Sequence, residues 1–316
     1  MLNIGKLAGV DSVDYYLSQV ASGVEDYYLG NGEAPGQWTG TAAPDLSLHG
    51  EVKAETLRRV LGGHDAAGKP LKGLRSSRKI PGFDLAFRAP KSVSLLWALG
   101  GHDVASDVHD AHDAAVAAAL AYLEDHAGWT RRGAGGRHAV KGRGLVAAAF
   151  RHRASRDRDP LLHTHVLVAN AVQADDGRWG TLDATRLYRH AKAAGYLYQT
   201  QLRHELTRRL GVAWNPVAQG VADLTGVPDP LIRAFVARVF VGQRVPASVP
   251  HRPLREPSWP HTAHVTPRAT MLRGRSARRG PSWMSPPGSR RTDAPGSRPT
   301  ISSRRRSSRR MPPTGP

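Results

Sequence analysis

Apolar residues in alternating and continuous runs predict strands in the middle of the chain. In Phe83–Phe87 the apolar side chains alternate strictly, and Asp84 falls on the second face. Two longer apolar runs, 144–152 and 163–170, flank the short polar segment 154–160. A polar, turn-rich link of this length predicts that the two runs pair as an antiparallel hairpin.

Apolar positions at helical spacing predict several helices. The predicted segments are residues 11–20, 93–99, 104–126 and 187–210. We expect Ser92 to cap the second of these and Gly211 to end the last. His109, His112 and His126 lie on the third helix, and we expect them to be solvated rather than bound to metal.

The order of these elements predicts the fold class. Asp176-Gly177 is a strong turn signal and predicts a second hairpin between Val166 and Leu182. Mixed strands, hairpins and helices favour an α+β fold, an antiparallel β-sheet with helices packed on one face. We expect this domain to occupy residues 1–240, which is enough chain for one well-buried core.

The composition changes abruptly after residue 240. Residues 241–316 contain 16 arginines, no lysine and two acidic residues, a net charge of +14, whereas residues 1–240 carry a net charge of +5. The later segment also holds 14 of the 23 prolines and has no hydrophobic period, so we expect a disordered, Arg/Pro-rich basic tail. It is either an arm that binds nucleic acid electrostatically or the product of a frameshift in a GC-rich gene. The frameshift is the preferred interpretation.

Three histidines fall where the first hairpin would bring them together. His163 and His165 are two residues apart on one strand, so their side chains leave the same face, and the turn places His152 opposite them. An isolated His-x-His pair is usually a surface or core feature. Three neutral imidazoles, however, leave a divalent ion its charge and open coordination positions, and this pattern predicts a site in which a metal polarises a substrate oxygen.

Two tyrosine pairs, Tyr15-Tyr16 and Tyr27-Tyr28, lie near the start of the chain. One interpretation is structural, with one ring of each pair in the core and the other at the surface. The alternative is a phenolic nucleophile, which needs a base or a metal-bound phosphate nearby because tyrosine titrates near ~10.

These motifs together resemble the MobF-type conjugative relaxases, the TrwC/TraI group of the HUH endonucleases. The resemblance is carried by the tyrosine pairs, by residues 82–94 (GFDLAFRAPKSVS) and by residues 150–165 (FRHRASRDRDPLLHTH), in that order. It covers about residues 1–240. Two positions depart from the usual pattern: Arg88 replaces a small hydroxyl residue, and Leu161 replaces a glutamine. Neither is an expected metal ligand, but Arg88 puts the DNA contacts around it in doubt.

The resemblance implies roles for particular residues. His152, His163 and His165 would hold a divalent metal ion, with Mg²⁺ or Mn²⁺ expected and Zn²⁺ as the alternative. Tyr15 would attack the scissile phosphate, with Tyr16 as the neighbouring candidate. Tyr27 or Tyr28 would serve a later strand transfer, and Asp84 would assist the histidines or the attacking tyrosine.

Other features limit the class of protein. The absence of cysteine excludes disulfides and thiolate metal sites. Residues 63–70 resemble a phosphate-binding loop, but Pro70 stands where a hydroxyl must reach magnesium, so we expect neither an NTP site nor the helicase that typically follows this relaxase domain. No signal peptide or membrane span is evident in the sequence, which favours a cytoplasmic bacterial protein.

The function expected is site- and strand-specific nicking and strand transfer through a 5′-phosphotyrosine, in conjugative DNA transfer. The expected substrate is single-stranded or hairpin DNA at a plasmid transfer origin, and the resemblance implies conjugation coupling and accessory DNA-binding proteins as partners. Two alternatives remain open. One is a histidine-ligated metallohydrolase that uses metal-bound water, and the other is a non-catalytic remnant that binds origin DNA without cutting it.

Overall fold

The structure is a computed structural model that describes residues 1–17, 33–75, 78–155 and 159–236. All of them belong to one compact unit, Met1–Ala247. Tyr27, Tyr28, the end of the predicted helix 11–20 and the predicted tail 241–316 lie outside the described residues. Among the described residues, no helix has the length and apolar character needed to span a membrane.

Antiparallel strands form the centre of the fold. The described strands are β1 (Leu2–Lys6), β2 (Gln37–Thr39), β3 (Gly82–Arg88), β4 (Trp129–Arg132), β5 (His138–Lys141), β6 (Ala147–Ala154), β7 (Pro160–Ala169), β8 (Val172–Gln173) and β9 (Trp179–Gly180). Five of them make one sheet in the order β1-β3-β7-β6-β2, with every neighbouring pair antiparallel. The strands that carry the histidine and Asp84 motifs therefore lie side by side.

Helices cover both faces of this sheet. They are α1 (Asp14–Leu17), α2 (Ala54–Gly62), α3 (Lys91–Leu99), α4 (His102–Ala127), α5 (Ala184–Leu210) and α6 (Asp229–Val236). A 3₁₀ turn at Val10–Val13 precedes α1, so the predicted first helix begins in a tighter form than expected. The last long helix ends as predicted at Gly211, whose φ of 65° is left-handed.

Two hydrophobic cores lie on opposite sides of the sheet. Phe83, Leu85 and Phe87 of β3 point into the core formed with α4 and α5, as their alternation predicts. The second core packs β6 and β7 against α1 and α2 and contains Tyr16 and Phe150. The prediction of helices on one face only was therefore wrong. The reason is that β7 is apolar on both faces, and both faces need cover.

The start of α3 corrects the predicted capping residue. Ser92 lies inside the helix, and Pro90 takes the N-cap position without a side-chain hydrogen bond. The cap is supplied from a distant segment, since Asp223 Oδ1 accepts hydrogen bonds from the Ser92 backbone N–H at 3.2 Å and from the Ser92 hydroxyl at 2.6 Å. A carboxylate is a strong acceptor at the positive end of a helix, which explains why it displaces the local serine.

The second hairpin turns at Asp176-Gly177 as predicted, but it is shorter than expected because residues 166–169 belong to β7. The prediction for His112 was also wrong. Its side chain is 0 % exposed, because its face of α4 packs against the sheet. His109 is half-buried and stacks on Trp97 at a ring-centroid distance of 5.5 Å, whereas His126 is exposed.

Candidate active site

The pairing of β6 with β7 brings the three predicted histidines together. His152 lies directly opposite His163, and His165 follows two residues along on the same face. All three side chains are buried, and one potential ligand atom from each lies within 4.8 Å of the others. The hairpin predicted from the sequence therefore forms, and it gathers the three imidazoles.

Hydrogen bonds fix the tautomers of two of these histidines. His163 Nδ1 lies 2.8 Å from the Leu161 carbonyl oxygen, and His165 Nδ1 lies 2.8 Å from Asp84 Oδ1. The Leu161 carbonyl can only accept a hydrogen bond, and so can the carboxylate form of Asp84. Each Nδ1 therefore carries the proton, and each Nε2 keeps a free lone pair. His152 Nε2 is buried and has no hydrogen-bond partner among the described residues. A buried nitrogen left in this state fits a metal ligand.

The pKa values of the cluster favour metal binding. Burial, followed by the neighbouring imidazoles His163 and His165, lowers the pKa of His152 to about 3. Burial also lowers the pKa of His163 to about 4, although the hydrogen bond between its ring and the Leu161 carbonyl acts to raise that pKa. The two rings are consequently neutral at neutral pH, and neutral imidazole is the form that binds a metal.

Asp84 supports the cluster from the neighbouring strand. Its position in β3 places it on the face opposite Phe83 and Leu85, towards the histidines, as the alternation predicts. Its carboxylate accepts from His165 Nδ1 and, at 3.0 Å, from the hydroxyl of Tyr16. A carboxylate that binds the second nitrogen of a metal-ligating histidine orients the ring and makes it more basic.

The two tyrosines of the first pair, Tyr15 and Tyr16, occupy different environments. Tyr16 is 8 % exposed, and its ring lies 5.1 Å from that of His165. Burial and the Asp84 charge raise the pKa of its hydroxyl well above the usual value, which makes it a poor nucleophile. Tyr15 is 41 % exposed and stands 6.3 Å from the His152 ring. Of the two, Tyr15 is the side chain that a substrate can reach.

Several supporting residues escaped the sequence analysis. Glu33 binds both the backbone N–H of Arg153, at 2.9 Å, and its side chain, at 3.0 Å, next to His152. No local sequence signal links residues so far apart. Arg88 was noted only as a departure from a family pattern, yet it shares the even-numbered face of β3 with Asp84. The same alternation could have assigned it to the metal side.

A family model described as TrwC relaxase matches residues 10–257. The chain belongs to the TrwC relaxase family. The match continues past residue 240, where the sequence analysis placed the end of the domain, and that boundary remains a prediction.

Relatives of this family member include two proteins named multifunctional conjugation protein TraI. One, from Escherichia coli, is 35 % identical over 226 residues, which cover 68 % of this chain and 12 % of the relative. The other, from Escherichia coli strain K12, is 33 % identical over 250 residues, which cover 75 % of this chain and 14 % of the relative. The chain thus spans a small part of the length of either relative.

Solved structures of the relaxase TrwC share the fold. A copper-bound TrwC in complex with oriT DNA matches with a TM-score of 0.67 and 30 % identity, covering 76 % of this chain and 81 % of TrwC. A TrwC complex with a 27-mer DNA, comprising the recognition hairpin and the cleavage site, matches with a TM-score of 0.64 and 31 % identity over 76 % and 80 % of the chains. These matches confirm the α+β fold with an antiparallel sheet. A metal-bound TrwC complex and the histidine cluster together support a divalent metal centre in this family member.

Proposed function

We propose that this chain nicks and rejoins one DNA strand at a transfer origin, through a covalent bond between a tyrosine and the 5′ phosphate. The observation that carries the proposal is the buried three-histidine cluster, supported by Asp84, with the exposed Tyr15 beside it. Family membership and the solved TrwC complexes with oriT DNA support the choice of substrate. Coupling and accessory proteins of conjugation are the proposed partners.

The three histidines would hold the metal through one ring nitrogen each, with Asp84 fixing His165. A bound divalent ion would neutralise charge on the scissile phosphate and orient the phosphorus for in-line attack. We propose Mg²⁺ or Mn²⁺, because the positions left by the histidines would face a hard phosphate oxygen. Zn²⁺ is the alternative, since imidazole also suits zinc.

Tyr15 is the proposed nucleophile. Its oxygen would form a bond to phosphorus while the bond from phosphorus to the 3′ oxygen breaks, and the phenolic proton would pass through solvent to the departing 3′ oxygen. Tyr16 is less suited to this role, because its hydroxyl is held by Asp84 and its pKa is raised. Its contact with Asp84 instead helps to hold the carboxylate against His165.

The covalent product would preserve the energy of the broken phosphodiester. A 3′ hydroxyl could therefore attack the phosphotyrosine and reseal the strand without ATP. We propose that Tyr27 or Tyr28 serves a second transfer, as the family resemblance implies. Nicking followed by joining is the activity expected of a strand-transfer enzyme.

The decisive experiment incubates the full chain with divalent metal and an oligonucleotide carrying the transfer origin of its own replicon. Label placed 3′ of the nick should migrate with the protein under denaturing conditions, and chelation of the metal should abolish this product. Cutting that leaves two free DNA ends would replace the proposal with hydrolysis by water. Binding of the origin without any cutting would indicate a non-catalytic protein.

A further inference from the structure

Arg88 lies in line with two of the histidines across the sheet. It pairs with His163 in the register of β3 and β7, and His163 pairs with His152 in the register of β7 and β6. Side chains of directly opposed residues leave the same face, with their Cβ atoms about 4.5–5.5 Å apart. Arg88 therefore stands on the metal side of the sheet, next to a predicted ligand.

The charge of Arg88 is available to a ligand. The residue is exposed, and its guanidinium forms no ion pair or hydrogen bond with any described carboxylate. The nearest acidic group of the site, Asp84, is engaged by His165 and Tyr16.

The backbone of Arg88 is held firmly, whereas its guanidinium has no partner among the residues that the structure describes. Its N–H donates to the Met1 carbonyl at 3.0 Å, and its own carbonyl accepts from the Met1 amine and from Gln199 Nε2. Arginine presents several donors in a planar fork that matches phosphate geometry. A fixed position with a free guanidinium is suited to an anion at this edge of the site.

We infer that Arg88 binds a backbone phosphate of the DNA strand beside the metal centre. This inference rests on the proposed function, since it takes single-stranded DNA as the ligand. The three imidazoles are neutral donors, and a bound cation would repel the guanidinium, so an anion bridging the two is the natural partner of both. Through this contact Arg88 positions the strand beside the metal centre.

The test measures binding of fluorescein-labelled (dT)20 by the full chain, without metal, over a range of salt concentrations. A phosphate contact is independent of base identity, so this probe suffices. Each contact to a single strand contributes about 0.7 to the slope of log K against log salt. Arg88→Ser should reduce the slope by about 0.7, and Arg88→Lys should keep the slope while weakening affinity. The tail is present in every variant, so its contacts cancel in the comparison.

Arg208→Ser is the matched control. Arg208 lies on α5, which packs on the opposite face of the sheet, and it is paired with Glu205. An unchanged slope in Arg88→Ser, or an equal loss in Arg208→Ser, would overturn the inference. A weakened affinity of Arg88→Ser for Mn²⁺ alone would also overturn it, because the residue would then act on the histidines. None of these binding measurements needs DNA cleavage. A wild-type chain that forms no adduct would therefore defeat the proposed function, while the salt-dependence comparison would still decide whether Arg88 binds a phosphate.

Discussion

His112 Nε2 and Thr164 Oγ1 lie 2.8 Å apart on the face of the sheet that α4 and α5 cover, directly behind the proposed metal ligands. Thr164 stands between His163 and His165 on β7, and the other nitrogen of His112 lies 2.8 Å from the Tyr198 hydroxyl. The contact therefore ties α4 and α5 to the strand that carries two of the ligands. Both ring nitrogens of a fully buried histidine are satisfied in this way.

Removing the Thr164 hydroxyl should lower the free energy of unfolding. Thr164→Val would leave one nitrogen of His112 buried without a partner, which costs about 1–3 kcal/mol of unfolding free energy. Thr164→Ser keeps the hydroxyl and should lose less. Urea unfolding of the metal-free chain measures both, and equal stability of wild type and Thr164→Val would show that the contact does not stabilise the fold.

The burial of His112 also predicts a pH dependence. Burial holds its pKa well below the ordinary value of 6.5. The unfolded chain then binds a proton that the folded chain does not, so stability should fall as pH drops below about 6.5, by up to about 1.4 kcal/mol per pH unit from this residue. In His112→Gln the decline between pH 6.5 and 5 should be shallower by that amount, as measured by urea unfolding. An unchanged decline would contradict the assignment.

Each of the three clustered histidines should be needed for metal binding. His152→Ala, His163→Ala and His165→Ala should each lose measurable Mn²⁺ binding by calorimetry, together with DNA cleavage, because a three-ligand site tolerates no missing ligand. His126→Ala removes an exposed histidine of α4 and should behave as wild type. Near-normal Mn²⁺ affinity in two of the three cluster variants would refute the metal site.

Asp84 should tune the metal rather than bind it. Asp84→Asn removes the charged acceptor of His165 Nδ1–H, and losing such a partner typically costs about 10–100-fold in metal affinity. Tyr16→Phe removes only the hydroxyl that donates a hydrogen bond to Asp84, so it should lower the affinity for the metal less than Asp84→Asn does. Calorimetric titration with Mn²⁺ compares the two variants. If Asp84→Asn binds Mn²⁺ as tightly as wild type does, Asp84 does not support the metal site.

Local sequence patterns were sufficient to predict the positions of most residues of the candidate site. The i, i+2 spacing of His163 and His165, the short link before them and the alternation around Asp84 place these side chains on one face, because strand geometry alone decides that. The fold class and the C-terminal end of α5 followed from similar local signals, whereas α5 begins at Ala184, three residues before its predicted start. Contacts between distant segments could not be predicted, as the capping of α3 by Asp223 and the burial of His112 against Thr164 show. They depend on which faces meet once the sheet has formed, and no periodicity in the sequence encodes that choice.

The most direct test of the account is the covalent adduct formed by two matched variants, Tyr15→Phe and Tyr16→Phe. Each keeps its ring and loses one hydroxyl, so packing is preserved while the candidate nucleophile is removed. With divalent metal and origin DNA labelled 3′ of the nick, Tyr15→Phe should form no initial protein–DNA adduct, and Tyr16→Phe should still form it. An adduct that persists in Tyr15→Phe and disappears in Tyr16→Phe would contradict the assignment of Tyr15, and strand cutting without any adduct would contradict the tyrosine mechanism itself.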